Sequence, residues 1–176
     1  MPPVAAVTVV ALVVSILALA LSGIAITWQI VSWRYTGSVV KAELVAGAVG
    51  RGGLVSSSIQ NWNPHLVRSQ GFSDLQVGVR VSNVGRTAAD IQTWSIKSTG
   101  GWGYSLPGYH LNQDTPIRLE PGSQKDFWVP AADIANLLRV SSTAKDGRPT
   151  ELSASVNMAT GKTAESKRHL GASIFP

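Results

Sequence analysis

The chain has no cysteine, only three histidines, and no charged side chain from Met1 to Trp33. Without thiols there is no disulfide, no thiolate nucleophile and no cysteine-bound zinc. No run of Lys or Arg exceeds two residues (Lys167-Arg168), which speaks against a nucleic-acid footprint. The missing charge says the most. Residues 4–31 read VAAVTVVALVVSILALALSGIAITWQIV. About 20 apolar residues at about 1.5 Å each cross a hydrocarbon core, so this run predicts a single transmembrane helix with turns to spare. Residues 1–35 form the expected anchor, and 36–176 remain for one domain.

A cleaved leader is the rival reading, because Ala18-Leu19-Ala20 has the small-x-small look of a cleavage site. The segment lacks a basic stretch before the apolar run, and the run continues past that site, so the expectation is an uncleaved anchor. Arg34 and Lys41, with Arg51 a little further on, flank its C-terminal end, and Trp28, Trp33 and Tyr35 mark an interface there. Basic flanks stay in the cytoplasm. The expected address is therefore the plasma membrane, single-pass, with the N-terminus outside and the domain cytoplasmic.

Thr8, Ala11, Ser15, Ala18, Ser22, Ala25, Gln29 and Ser32 recur at alternating steps of three and four. Every member is small or polar, and Thr27 is the polar residue of the span that lies off this seam. Small residues let helices approach closely, and hydroxyls or amides bond across the contact. One reading is self-association or docking on another membrane protein. The other is an alanine-rich helix whose serines bond back to their own carbonyls.

After the anchor, period-two alternation is clear in Leu75-Gln76-Val77-Gly78-Val79-Arg80-Val81-Ser82 and in Glu151-Leu152-Ser153-Ala154-Ser155-Val156-Asn157-Met158. Each predicts a strand with one face on a core. Asn83-Val84-Gly85-Arg86 follows as a turn, then a strand over 88–96 whose phase shifts between Ile91 and Trp94, suggesting a bulge or two buried faces. Trp94 is a candidate for the core or for the cover of a sheet edge. Weaker strands are expected at 39–45, 116–119 and 124–129. Glu120-Pro121-Gly122-Ser123 has Pro and Gly placed for a type II turn. A hairpin over 152–167 turns at Ala159-Thr160-Gly161. One helix is expected from Pro130 to about Val140. Long loops lie near 46–72, patternless from Arg51 onward save for a short strand at 54–59, and near 98–115. The expected class is mainly β: a transmembrane helix followed by an immunoglobulin-like antiparallel β-sandwich with one short helix.

The order of motifs carries a resemblance. The span ends in Trp33 and Arg34, and V-x-V-x-V-x-N-x-G-R occupies 77–86. A Trp-containing strand, R-L-E-P-G-S at 118–123, Trp128-Val129-Pro130 and an A-T-G-K turn at 159–162 follow. This resembles a set of uncharacterised single-span membrane proteins of actinobacteria and their phages. The resemblance implies an immunoglobulin-like β-sandwich beside the membrane and brings no activity with it.

Little in the sequence points to chemistry. Gly103-Tyr104-Ser105-Leu106-Pro107 starts like a nucleophile elbow but has Pro where Gly is needed. His65, His110 and His169 stand apart, and His110 with Asp114 makes two ligands, not a site. Gly100-Gly101-Trp102-Gly103 and Ala159-Thr160-Gly161-Lys162 both fail the phosphate-loop pattern. No cofactor, metal or small-molecule substrate is indicated. What remains is recognition. Trp102, Tyr104, Tyr109 and His110 share one Gly/Pro-rich loop, and Trp62 stands among Asn61, Asn63 and His65 in a second. Aromatics in adaptable loops bury area at low entropy cost; the other reading is that Trp102 and Tyr104 cap one end of the sandwich core. The expected function is a non-enzymatic, membrane-anchored interaction module. An exported envelope-associated binding or structural domain is the alternative.

Overall fold

The computed structural model describes residues 4–35, 37–105, 115–143 and 150–171. The chain divides into two units, Met1–Gly37 and Ser38–Pro176.

The first unit is one helix, α1 (Val4–Tyr35). Its window Val7–Ser32 spans 26 residues at a mean hydropathy of 2.8, and none of it is buried against protein. That is long and apolar enough to cross a membrane. The Ser15 hydroxyl donates to the Ala11 carbonyl at 2.8 Å, Ser22 to Ala18 at 2.9 Å, and Thr27 to Gly23 at 2.8 Å. Each hydroxyl is thus satisfied one turn back along its own helix, which removes the cost of carrying it into hydrocarbon.

The second unit is mainly β. One antiparallel sheet has the order β2 (Gly53–Ser58), β1 (Val40–Gly50), β3 (Asp74–Asn83), β7 (Gln124–Pro130). The other centres on β4 (Ala89–Ser98) and β8 (Glu151–Met158). Short strands border that pair: β5 (Gly103–Tyr104) and β6 (Ile117–Leu119) on β4, β9 (Thr163–Glu165) and β10 (His169–Leu170) on β8.

The alternating residues of β3 and β8 do what their period requires. Val77, Val79 and Val81 from the first sheet, and Leu152, Ala154, Val156 and Met158 from the second, are buried in one core. Trp94 on β4 stacks on Phe127 of β7 with ring centroids 5.4 Å apart, so an aromatic pair joins the two sheets at the core. The β4–β8 register steps from Ile91↔Met158 to Thr93↔Asn157, leaving Gln92 as the extra residue. That bulge lets Ile91 and Trp94, three positions apart, both reach the core.

Several loop expectations need correction. β1 does not stop at residue 45 but runs to Gly50, because Leu44 through Ala48 are buried on both faces and show no alternation. Residues 51–72 are not one long loop. The short strand expected at 54–59 is β2, and a 3-10 turn (Ile59–Asn61) and a second helix, α2 (Pro64–Ser69), follow it where no element was expected. The Asn63-Pro64 pair reads as a loop signal, yet Asn63 caps α2 by accepting from the Leu66 amide at 3.1 Å, with Pro64 in the first turn. The expected helix after Pro130 is α3 (Ala131–Thr143), with Ile134 fully buried.

A single side chain ties the two turn motifs together. Asn83 is 1 % exposed at the end of β3. Its amide donates to the carbonyls of Thr87 at 2.8 Å and Leu119 at 2.9 Å, and its oxygen accepts from the Gly85 amide at 3.0 Å. Its backbone accepts from Gly122 at 2.8 Å and donates to Ser123 at 3.0 Å. The Glu120–Ser123 turn closes as expected, with Ser123 donating to Glu120 at 3.1 Å and Gly122 at a φ of +74°. Asn83→Ala strands the buried Leu119 carbonyl and the partly buried Thr87 carbonyl and Gly85 amide, and should cost about 2 kcal/mol. A chemical-denaturation midpoint unchanged by that substitution would refute the role given to Asn83.

Candidate interaction surface

The loop after β4 is built by backbone and hydroxyl groups before any aromatic is considered. Ser98 donates from its amide to the Trp102 carbonyl at 2.8 Å and from its hydroxyl to the same oxygen at 3.1 Å. Gly101, at a φ of +84°, returns its amide to Ser98 at 3.1 Å, a left-handed position that glycine adopts without strain. The buried Ser98 hydroxyl also lies 2.7 Å from that of Ser141, which fastens the loop to α3. Thr99 holds the other flank, donating to Glu151 at 3.0 Å and accepting from its amide at 3.2 Å.

On this fixed turn Trp102 is 51 % exposed. It borders a cleft of about 300 Å³ with Ser95, Lys97, Ser98, Gly101, Gly103 and Ser105. Lys97 pairs with Glu165 at 2.7 Å across the sheet. The ammonium holds that exposed carboxyl below its ordinary range. Such a surface pair contributes little to stability. The cleft thus combines one broad apolar ring, hydroxyls and a cation held at a set position.

The other aromatic candidates are placed differently. Tyr104 is half-buried on β5, and its hydroxyl donates to the Asp133 carboxylate at 2.8 Å. It braces α3 against the sheet edge. Trp62 is half-buried and packs against the core. Tyr109 and His110 lie outside the described residues, as does Asp114. Ser105 sits on the lip of the Trp102 cleft. Among the described residues no three His, Asp or Glu side chains come together to hold a metal ion.

A second polar cluster lies on the outer face of the first sheet. Arg80 forms a two-pronged pair with Asp126 at 3.0 and 2.9 Å, in register with Glu43 on β1. The hydrogen bond to Asp126 is the main reason the guanidinium is raised above its usual pKa, and Glu43 adds to it. Beside this row the Trp128 indole covers Gly78 and Gly47. A Cβ at Gly78 would stand 2.6 Å from the ring, and one at Gly47 2.8 Å. The alternation of β3 already marks Gly78 as outward. What hides the arrangement in sequence is that Gly47 and Trp128 come from strands far apart in the chain.

No protein-family model matches this chain, and no curated protein matches it either.

The Tyr104–Asp133 contact gives a measurable titration. Burial is the larger cause and the Asp133 hydrogen bond the next, and together they push the phenol up to about 12. Because the folded value lies above the unfolded one of 10.0, this contribution to stability is complete below pH 10 and is lost as pH rises toward 12. Absorbance titration of phenolate should therefore show a late step from Tyr104. That late step should vanish in Tyr104→Phe and move down in Asp133→Asn. A late step that survives Tyr104→Phe would contradict the assignment.

Proposed function

We propose that this chain is a single-pass, membrane-anchored interaction module without catalytic activity. In this reading α1 spans the plasma membrane, and the second unit is an immunoglobulin-like β-sandwich on the cytoplasmic side. The observation that carries the reading is the charge-free window Val7–Ser32, none of which is buried, joined to a separate β unit with its own core. An all-round apolar helix with no protein surface to cover finds its solvent in lipid. The basic residues Arg34, Lys41 and Arg51 supply the cytoplasmic orientation. The order of turn and strand motifs, similar to actinobacterial and phage single-span proteins, supports the same architecture.

The Trp102 cleft is the proposed recognition surface, presented to a membrane-proximal protein. Within the membrane, the seam Ala11, Ser15, Ala18, Ser22, Ala25 and Gln29 is the proposed contact with a second copy or a membrane-protein partner. Ser15 and Ser22 already bond to their own helix, so they contribute small size rather than cross-helix bonds. Gln29 is the exposed amide left to bridge two helices near the interface.

Reporter fusions after Pro176, read together with the mass of the membrane-extracted chain, test the address. A cytoplasmic signal on a full-length chain is the expected result. An outside signal would overturn the orientation and make the exported envelope domain the leading reading. A chain shortened to begin after Ala20 would remove the anchor. For the seam, Ser22→Leu with Gln29→Leu should lower helix association several-fold in a membrane association assay. Association at the wild-type level would eliminate the seam from the account.

A further inference from the structure

Edges of β-sheets carry unpaired backbone donors and acceptors, and proteins guard them with charge, proline, bulges or brevity. Nearly every edge described in this unit is guarded. β5 and β10 are two residues long, and β6 and β9 are three. β7 carries Lys125 and Asp126 and ends in Pro130. β2 is the exception. It borders the first sheet with six unbroken pairs to β1, from Gly50↔Gly53 to Val45↔Ser58. It holds no proline, and no charged residue occurs between Arg51 and Arg68. Gly53, Leu54, Val55 and Ser56 are all exposed, and among the described residues β1 is the strand that pairs with β2.

We propose that the open edge of β2 pairs antiparallel with β2 of a second copy of this chain. Three observations favour a copy over another occupant. First, the chain carries +5, so copies repel wherever charged edges meet, yet this edge bears no charge. Second, the strand is complementary to itself. About a two-fold axis through Ser56, Leu54 falls opposite Ser58 and Val55 opposite Ser57. Leu54 and Ser58 lie on one face of the sheet, Val55 and Ser57 on the other, as their register with β1 requires. Large therefore meets small on both faces. Third, such pairing uses each edge once and closes, so it joins two four-stranded sheets into one and stops at a dimer. The further point that tethered copies meet at raised local concentration rests on the proposed membrane address. The pairing itself does not.

The absence of native cysteine makes the test direct. The full chain is expressed in membranes as single-cysteine variants and oxidised mildly. Ser56→Cys should give several-fold more disulfide-linked dimer than Gln124→Cys, which reports the guarded β7 edge. Leu54→Cys mixed with Ser58→Cys should link more than either alone. Ser56→Lys, at an exposed position, should lower the dimer fraction of the detergent-solubilised chain several-fold without shifting its melting temperature. Equal cross-linking at Ser56 and Gln124 would overturn the proposal. So would dimers that survive Ser56→Lys but vanish with the Ser22→Leu, Gln29→Leu pair, a result that leaves the proposed anchor and its seam standing. Cross-linking of Ser56→Cys to a different protein alone would also overturn it.

Discussion

The β unit depends on Asn83. Its side chain saturates at three backbone partners from Gly85, Thr87 and Leu119, and its own backbone holds the turn at Gly122 and Ser123. β3 belongs to one sheet and β6 to the other, so these bonds cross between layers where β3 leaves its sheet. A hydrophobic core can slide, because burial has no direction. A buried amide with every group paired cannot, because each displaced bond leaves an unsatisfied group. The Trp94–Phe127 stack then supplies apolar contact between sheets whose registration Asn83 has set.

With the layers registered, outer-face features acquire fixed geometry. Trp128 lies over Gly47 and Gly78 because glycine at both positions leaves no Cβ beneath the ring. The Arg80–Asp126 pair beside it is partly shielded and two-pronged, the geometry in which an ion pair contributes most at a surface. One face of the β3–β7 region is thereby closed by its own side chains. Among the described residues, Trp102 beside its cleft and the β2 edge stay exposed, each next to a longer paired strand, β4 and β1. A binding site gains from such support, since a pre-ordered loop loses less entropy on association.

Strands with one wet face were legible in the sequence: β3 and β8 alternate, and the bulge in β4 shows as a phase shift between Ile91 and Trp94. The type II turn at Pro121-Gly122 was legible for the same reason, since it is local chemistry. β1 was only half legible. From Leu44 to Ala48 it is buried on both faces and loses the period that marks a strand. β2 was expected as a short strand at 54–59, but α2 lies among Asn, Pro and Ser, where capping and turn signals look alike until the partner amide of Asn63 is known. The aromatic surface divided for a reason invisible in one dimension. Tyr104 is drawn inward by Asp133, a residue on a helix that follows two strands later, while Trp102 keeps its exposure. The pairing of Asn83 with Leu119 is likewise a long-range fact behind a motif that reads as a simple turn.

The Asn83 bonds are as permanent as the core itself. Native-state hydrogen exchange on the intact protein tests this at single amides. The amides of Gly85 and Gly122 sit in turns, where exchange ordinarily needs only local fraying. With the Asn83 bonds intact, they exchange with the same free energy of opening as Val79 and Val156 in the central strands. Exchange of Gly85 and Gly122 at the rate of an ordinary exposed turn, with the strand amides still protected, would contradict it.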